Sequence, residues 1–226
     1  MSKQYGALRP LRIEYLTVAA GEQVAILGLD QPAAEVFVNL ITGASLPDSG
    51  SVHLFGRDTA EIRDAADWLS TLDRFGIVSD RGALLDMFSV IQNLAVPFSL
   101  EIEPPADDIR QQAQALAREA GLPDETWERR AADLESALRL RVRLARALAL
   151  NPSVLILEHP SATVERDAIG SLARDVRQIS ERRGAAAISL TMDRQFADAA
   201  TSRVLTLEPA TGRLREGRFS RIKFWS

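Results

Sequence analysis

The stretch that most constrains this chain is Gly21 to Gly43, GEQVAILGLDQPAAEVFVNLITG. It reads as a buried strand, a turn beginning at Gly28 and then a helix carrying apolar residues at helical spacing from Ala33 to Ile41. That is the layout in which backbone N–H groups and a helix N-terminus wrap a polyphosphate. The motif for such chemistry is G-x-x-x-x-G-K-[ST]. Gly28 supplies its first glycine, but Ala33 stands at the second glycine, Ala34 at the lysine and Glu35 at the hydroxyl. Gln31 and Ala33 fall where glycine would let the backbone approach a ligand closely, and Pro32 removes one N–H donor. The scaffold of a phosphate loop is present and its chemistry is missing.

At 226 residues the chain is long enough for one α/β domain, with or without a small helical insert. A net charge of −4, with arginines interleaved among carboxylates, argues against a nucleic-acid partner. The absence of cysteine excludes disulfides, thiol catalysis and thiolate metal sites. The opening MSKQYGALRP lacks the apolar centre of a signal peptide. No apolar run approaches the ~20 residues that span a bilayer. A cytoplasmic protein is therefore expected, reaching the inner membrane only through partners.

Strands are expected at Leu11 to Val18, Gln23 to Leu27, Ser51 to Phe55, Phe75 to Val78, Val154 to Leu157, Ala185 to Leu190 and Arg203 to Leu207. Between them, helices are expected at Asp86 to Phe98, Asp107 to Ala120, across most of Glu125 to Leu150, at Asp167 to Arg183 and near Gln195 to Ala200. This alternation predicts a mainly parallel sheet with helical crossovers. There is no internal repeat or low-complexity linker. The basic-aromatic tail Arg221 to Trp225 reads as a chain end or as a contact for a membrane or partner.

In combination these segments resemble the ATP-binding cassette (ABC) ATPases over nearly the whole chain. GEQVAILG followed by NLITGASLPDSGSVHLFGRD resembles that family's phosphate-loop strand, helix and hairpin. FGIVSDRGALLDMFSVIQNLAVP is similar to its Q-loop region, and LESALRLRVRLARALALNPSVLILEHP to its signature motif, signature helix and Walker B strand. ISLTMDRQFADAATSRVLTL resembles the switch-histidine region, and GALLDMFSVIQNLAVP is similar to ATPases of Mce-type lipid-trafficking systems. The resemblance implies one P-loop NTPase-like α/β domain over residues 1–226. Its sheet would be mainly parallel, with an antiparallel β subdomain and a helical signature subdomain inserted at about residues 86–150.

Carried over residue by residue, the resemblance puts the adenine-stacking aromatic at Tyr5 and the lysine of the phosphate loop at Ala34. The magnesium hydroxyl falls at Glu35 and the Q-loop glutamine at Asp80. Leu134-Glu135-Ser136-Ala137-Leu138 takes the place of the signature, where a one-residue shift would restore the serine at Ser136. Glu158 stands at the Walker B aspartate, His159 at the catalytic glutamate and Met192 at the switch histidine, while Ser161 to Val164 form a D-loop without its aspartate.

These substitutions move a site built for a polyanion by two charges in the unfavourable direction. Each unit interaction near 4 Å is worth on the order of a few kcal/mol at an effective dielectric of about 20. The vestigial nucleotide site is then Tyr5, Gly28, Gln31, Ala33, Ala34, Glu35, Asp80, Glu135 and Ser136, with no catalytic residue, metal or cofactor expected. His159 reads as a neutral cleft histidine, and Arg139, Arg141, Arg143 and Arg146 as the solvated face of the signature helix. Leu84, Leu85, Met87, Phe88, Val90 and Ile91 read as mostly core, while part of the set could form the groove that receives a membrane domain's coupling helix. The expected partners are a membrane permease subunit, a second ABC ATPase subunit, or both, in a homo- or heterodimer. Two alternatives stay open: a divergent but active subunit using ATP and Mg2+ through Glu35, Glu158 and His159, and a sensor of a non-nucleotide ligand.

Overall fold

The computed structural model describes residues 1–217; the tail from Arg221 to Trp225 lies outside them. The chain opens with β1 (Ser2–Lys3), β2 (Leu11–Arg12), β3 (Gln23–Leu27) and α1 (Gln31–Ile41), then β4 (His53–Leu54) and β5 (Arg57–Asp58). It continues with α2 (Ala65–Leu72), β6 (Phe75–Val78), α3 (Val90–Ala95), α4 (Asp107–Glu119) and α5 (Ser136–Leu148). It closes with β7 (Val154–Glu158), α6 (Arg166–Arg183), β8 (Ala186–Thr191), α7 (Arg194–Ala200), β9 (Arg203–Glu208) and β10 (Arg213–Glu216).

One six-stranded sheet, in the order β10-β9-β3-β8-β7-β6, carries the architecture. Its strands run parallel except β10, which returns antiparallel beside β9. β1 with β2 and β4 with β5 form separate antiparallel pairs. The central strands are mostly apolar and buried because helices cover both faces, as parallel sheets require. Leu155 and Leu157 of β7 face the helices α3 to α6, while Ile156 packs with Phe37, Leu40 and Ile26 on the α1 side.

Helices α3 to α5 fall between β6 and β7 in the chain. α5 lies against β6 so closely that a Cβ on Gly76 would sit 2.4 Å from the Ala147 carbonyl oxygen. Glycine at position 76 thus sets the depth at which α5 seats on the sheet. A bidentate ion pair from Arg183 to Glu119 joins α6 to α4, with Arg183 Nε 2.7 Å from Glu119 Oε1. This guanidinium holds the Glu119 carboxyl below its ordinary pKa, against a smaller opposing effect of burial.

Several expected elements are shorter in the structure. The strand expected at Leu11 to Val18 pairs only at Leu11–Arg12, and Ser51 to Phe55 only at His53–Leu54. The helix expected at Asp86 to Phe98 is Val90–Ala95, because Asn93 turns its amide back on the preceding segment instead of letting it coil. The Glu125 to Leu150 stretch holds two short 3-10 turns before α5 begins at Ser136. Helix α2 and strand β10 were not foreseen.

Candidate functional site

The site is built from four places that the fold brings together: the β3–α1 turn, the loop after β6, the end of β7 and the loop after it. β3 delivers the turn at Gly28, whose φ of +96° suits glycine and whose missing Cβ leaves room for the Leu207 carbonyl oxygen at 3.1 Å. The helix that follows starts at Gln31, ahead of the apolar run from Ala33, with Pro32 in its first turn as its fixed φ suggests. The third and fourth loop positions of the phosphate motif, Gln31 and Pro32, are therefore already helical.

Asp30 explains the early start. Its carboxylate caps the helix by accepting the Ala33 N–H at 2.9 Å, and its carbonyl accepts the Ala34 N–H at 2.8 Å. Pro32 fits the first turn because it has no N–H to leave unpaired. Two N–H donors at the start of the helix are thus taken within the chain, and a carboxylate sits over the positive end of α1. Ala34 is fully buried, packed among Leu29, Phe37 and Leu40.

The centre of the site is Glu158, at the end of β7. Its side chain is fully buried, so each oxygen requires a partner. Gln31 Nε2 donates to Oε1 at 2.9 Å, and an Arg81 terminal nitrogen donates to Oε2 at 2.6 Å. The other terminal nitrogen of Arg81 reaches Glu35 Oε1 at 3.0 Å. One guanidinium therefore bridges two carboxylates, drawing α1, β7 and the loop after β6 into one network. The cation of this network is Arg81, and it is paired with the protein's own acids.

Arg81 and Asp30 were not among the residues expected in this region. Asp30 was legible as an N-cap one residue before a Gln-Pro pair. Arg81 had no motif to mark it; only the need of two acids, Glu35 and Glu158, for a cation pointed to some basic residue.

The other expected positions are distributed around this network. Tyr5 is half-buried against the apolar cluster under α1, and its phenol pKa is raised by burial and then by the Asp30 charge. Asp80, at the Q-loop glutamine position, pairs with Arg143 at 2.9 Å. Glu135 precedes α5 at its N-cap position but accepts no capping bond through its side chain, and Ser136 begins the helix. His159 adopts φ +46°, donates its backbone N–H to Leu190 O at 2.8 Å and holds a buried Nε2 without a hydrogen-bond partner. Met192 is exposed just before α7, and Ser161 is buried in the loop after His159.

One reading needs correction. Arg139, Arg141, Arg143 and Arg146 are not a solvated face: all four are half-buried and all are hydrogen-bonded to protein oxygens. Arg141 donates to the Ala120 carbonyl and pairs with Asp175, and the others hold the loop after β6. In the set from Leu84 to Ile91, Leu84, Val90 and Ile91 are core, whereas Leu85 and Met87 are exposed.

A magnesium-bound polyphosphate does not fit this arrangement as it stands. It would meet the carboxylates of Asp30, Glu35 and Glu158, the last two already paired with the Arg81 guanidinium. Among the described residues, no three His, Cys, Asp or Glu side chains gather as a metal-binding group.

The sheet order, the glycine turn after β3 and the helix behind it define a P-loop NTPase-like α/β cassette. Residues 12–162 match the ABC transporter family, and the chain belongs to that family. It is 31% identical to the lipoprotein-releasing system ATP-binding protein LolD of Chromohalobacter salexigens, over 89% of this chain and 83% of LolD. It is 30% identical to the sulfate/thiosulfate import ATP-binding protein CysA of Methylococcus capsulatus, over 92% of this chain but only 58% of CysA. The chain thus spans little more than half the length of that relative. Its fold is that of the dimeric bacterial ABC transporter cassette MJ0796, with a TM-score of 0.78 at 20% identity over 96% of this chain and 95% of the other. These relatives belong to other transport systems and lend no support to the Mce-type likeness.

Proposed function

We propose that this chain is an ABC ATP-binding-subunit homologue that has given up ATP hydrolysis and serves a membrane transport complex as a structural or regulatory subunit. The observation that carries the reading is the saturated Glu158 carboxylate. Both of its oxygens are committed, to Gln31 and Arg81, at the position where the family resemblance would have an acid serve magnesium. No nucleotide or metal cofactor and no nucleic acid is part of this reading. The 1–226 cassette, with its helical insert at about 86–150, would sit at the cytoplasmic face of the inner membrane through its partners. Among the described residues, no helix is long and apolar enough to cross a membrane. Partnership with a permease or a second ABC subunit is supported by related cassettes: MJ0796 is described as dimeric and cbiO1 as part of the cbiONQ complex.

Calorimetric titration of the full chain with ATP, with and without Mg2+, tests the reading, alongside an assay of ADP release. The expected result is no saturable heat and no turnover. Tight Mg2+-dependent binding with turnover abolished by Glu158→Gln would overturn it.

A second reading, a divergent but active ATPase, draws on His159. Its buried, unpartnered Nε2 stands next to Glu158 in the chain and could serve as a general base if the Arg81 network opened. The LolD and CysA relatives are named as ATP-binding proteins, which favours the same reading. The titration separates the two.

A further inference from the structure

The segment from Ser79 to Ser89, between β6 and α3, has no helix or strand of its own, yet it is tied down on three sides. Arg139, Arg143 and Arg146 recur at helical spacing, and so share one face of α5. Arg143 Nη1 pairs with Asp80 at 2.9 Å, Arg146 Nη1 donates to the Ala83 carbonyl at 2.8 Å, and Arg139 Nη2 pairs with Asp86 at 2.8 Å. Arg143 Nε adds a long contact to the Gly82 carbonyl at 3.4 Å. From α3, the fully buried Asn93 accepts the Leu85 N–H at 2.8 Å and donates to the Leu85 and Ser89 carbonyls at 3.0 Å each. From the core side, Arg81 holds Glu158 and Glu35.

Placing Arg143 beside Arg146 has a cost. Burial, and then the neighbouring Arg143 charge, push the Arg146 guanidinium pKa down. A pair of like charges is kept side by side only where fixed acceptors offset the repulsion, and here Asp80 and the loop carbonyls do so. The loop's geometry is set by side chains of α5, α3 and the core, together with backbone bonds in which the Ala131 N–H donates to the Phe88 carbonyl at 2.9 Å and the Ala132 N–H to the Asp86 carbonyl at 3.1 Å.

We infer that the arginine face of α5, together with Asn93 and Arg81, rivets the 79–89 loop and with it the α3–α5 helices to the sheet in one fixed arrangement that nucleotide does not alter. The inference builds on the self-filled site, and its test keeps the two apart. Leu85 and Met87, exposed on this loop, are then held in one preset position.

Hydrogen exchange of the full chain, read on the peptides covering residues 79–89, is the experiment. The wild-type amides of Gly82, Ala83, Leu85 and Phe88, all hydrogen-bonded, should exchange slowly and equally with and without Mg-ATP. In Arg143→Gln/Arg146→Gln, these amides should exchange on the order of tenfold faster, while the peptides of β3 and β8 stay unchanged. Asp80→Asn/Asp86→Asn removes two of the same ties through exposed loop carboxylates, leaves α5 intact and should give the same localised gain. Fast exchange in the wild type, a change on adding Mg-ATP, or no gain in the aspartate variant would overturn the inference. ATP binding seen by calorimetry with an unaltered loop would sink the pseudo-ATPase reading and leave the rivet standing.

Discussion

Gln31 Nε2 lies 2.9 Å from Glu158 Oε1, a hydrogen bond joining residues 127 positions apart and linking the first turn of α1 to the last residue of β7. It can form only because α1 begins at Gln31; a loop at positions 31 and 32 would carry that side chain elsewhere. The bond and the early helix start are two aspects of one rearrangement, and Arg81 completes it from the other side.

Replacing Arg81 by alanine leaves Glu158 buried with one oxygen unpaired. Loss of a partner to a buried ion costs about 3 kcal/mol or more, reduced here to about 2 kcal/mol because the Arg81 side chain is 39% exposed. Urea unfolding of Arg81→Ala should show this loss. Glu158→Gln in the same background should recover part of it, a non-additivity that a double-mutant cycle measures.

Restoring the motif's lysine should not restore a site. Ala34 is fully buried among Leu29, Phe37 and Leu40, so Ala34→Lys forces a long cation into an apolar layer. The expected outcome is a loss of about 2 kcal/mol or more, with no nucleotide binding gained by calorimetry. The companion Ala34→Lys/Glu35→Thr should behave the same way.

Arg57 holds Asp67 with two bonds, at 2.8 and 2.7 Å, and the Arg63 N–H adds a third at 3.2 Å. The Arg57 bonds lead in lowering the Asp67 carboxyl from 3.8 to about 2. A depressed folded pKa gives stability that is present above the unfolded value and disappears as pH falls through the folded one. This contribution should therefore fade between about pH 4 and pH 2. Carbon-13 titration of the Asp67 carboxyl should show the low midpoint, and Arg57→Gln should move it up toward the ordinary value.

Gly76→Ala places a methyl 2.4 Å from the Ala147 carbonyl oxygen, a backbone atom that cannot move without shifting α5, and 2.7 Å from a methyl of the Leu155 side chain. Overpacking of this kind costs about 1–3 kcal/mol. Thermal unfolding should report it. Gly184→Ala, where nothing stands within 4 Å but φ is +63°, should cost less, about 1 kcal/mol of backbone strain alone.

The core strands were readable because short β-branched runs between turn residues have few other uses. β7 and β8 emerge almost where Val154 to Leu157 and Ala185 to Leu190 were expected. Helix α6 was equally clear, since its eighteen residues carry five turns of periodic apolar positions ending at Gly184. The segment from Asp86 to Phe98 misled because its apolar residues suit a helix, while the amide of Asn93 competes for the backbone of the turn before it. In the site, each family position could be placed by counting, but the bonds could not. Glu35 and Glu158 looked like charges left without a purpose, and the salt bridges that use them run through Arg81, distant from both in the chain. The α5 arginines were misread for a related reason: spacing shows that residues share a face, and only packing shows what that face meets.

Strand β10, Arg213–Glu216, closes one side of the sheet with the sequence RLRE, pairing with β9, and among the described residues no strand pairs with its other edge. Three of its four side chains are charged, and Arg215 and Arg213 engage Glu208 and Glu14. An edge guarded by charge resists the addition of a foreign strand. This charged edge thereby discourages open-ended, fibre-like growth from that side of the sheet.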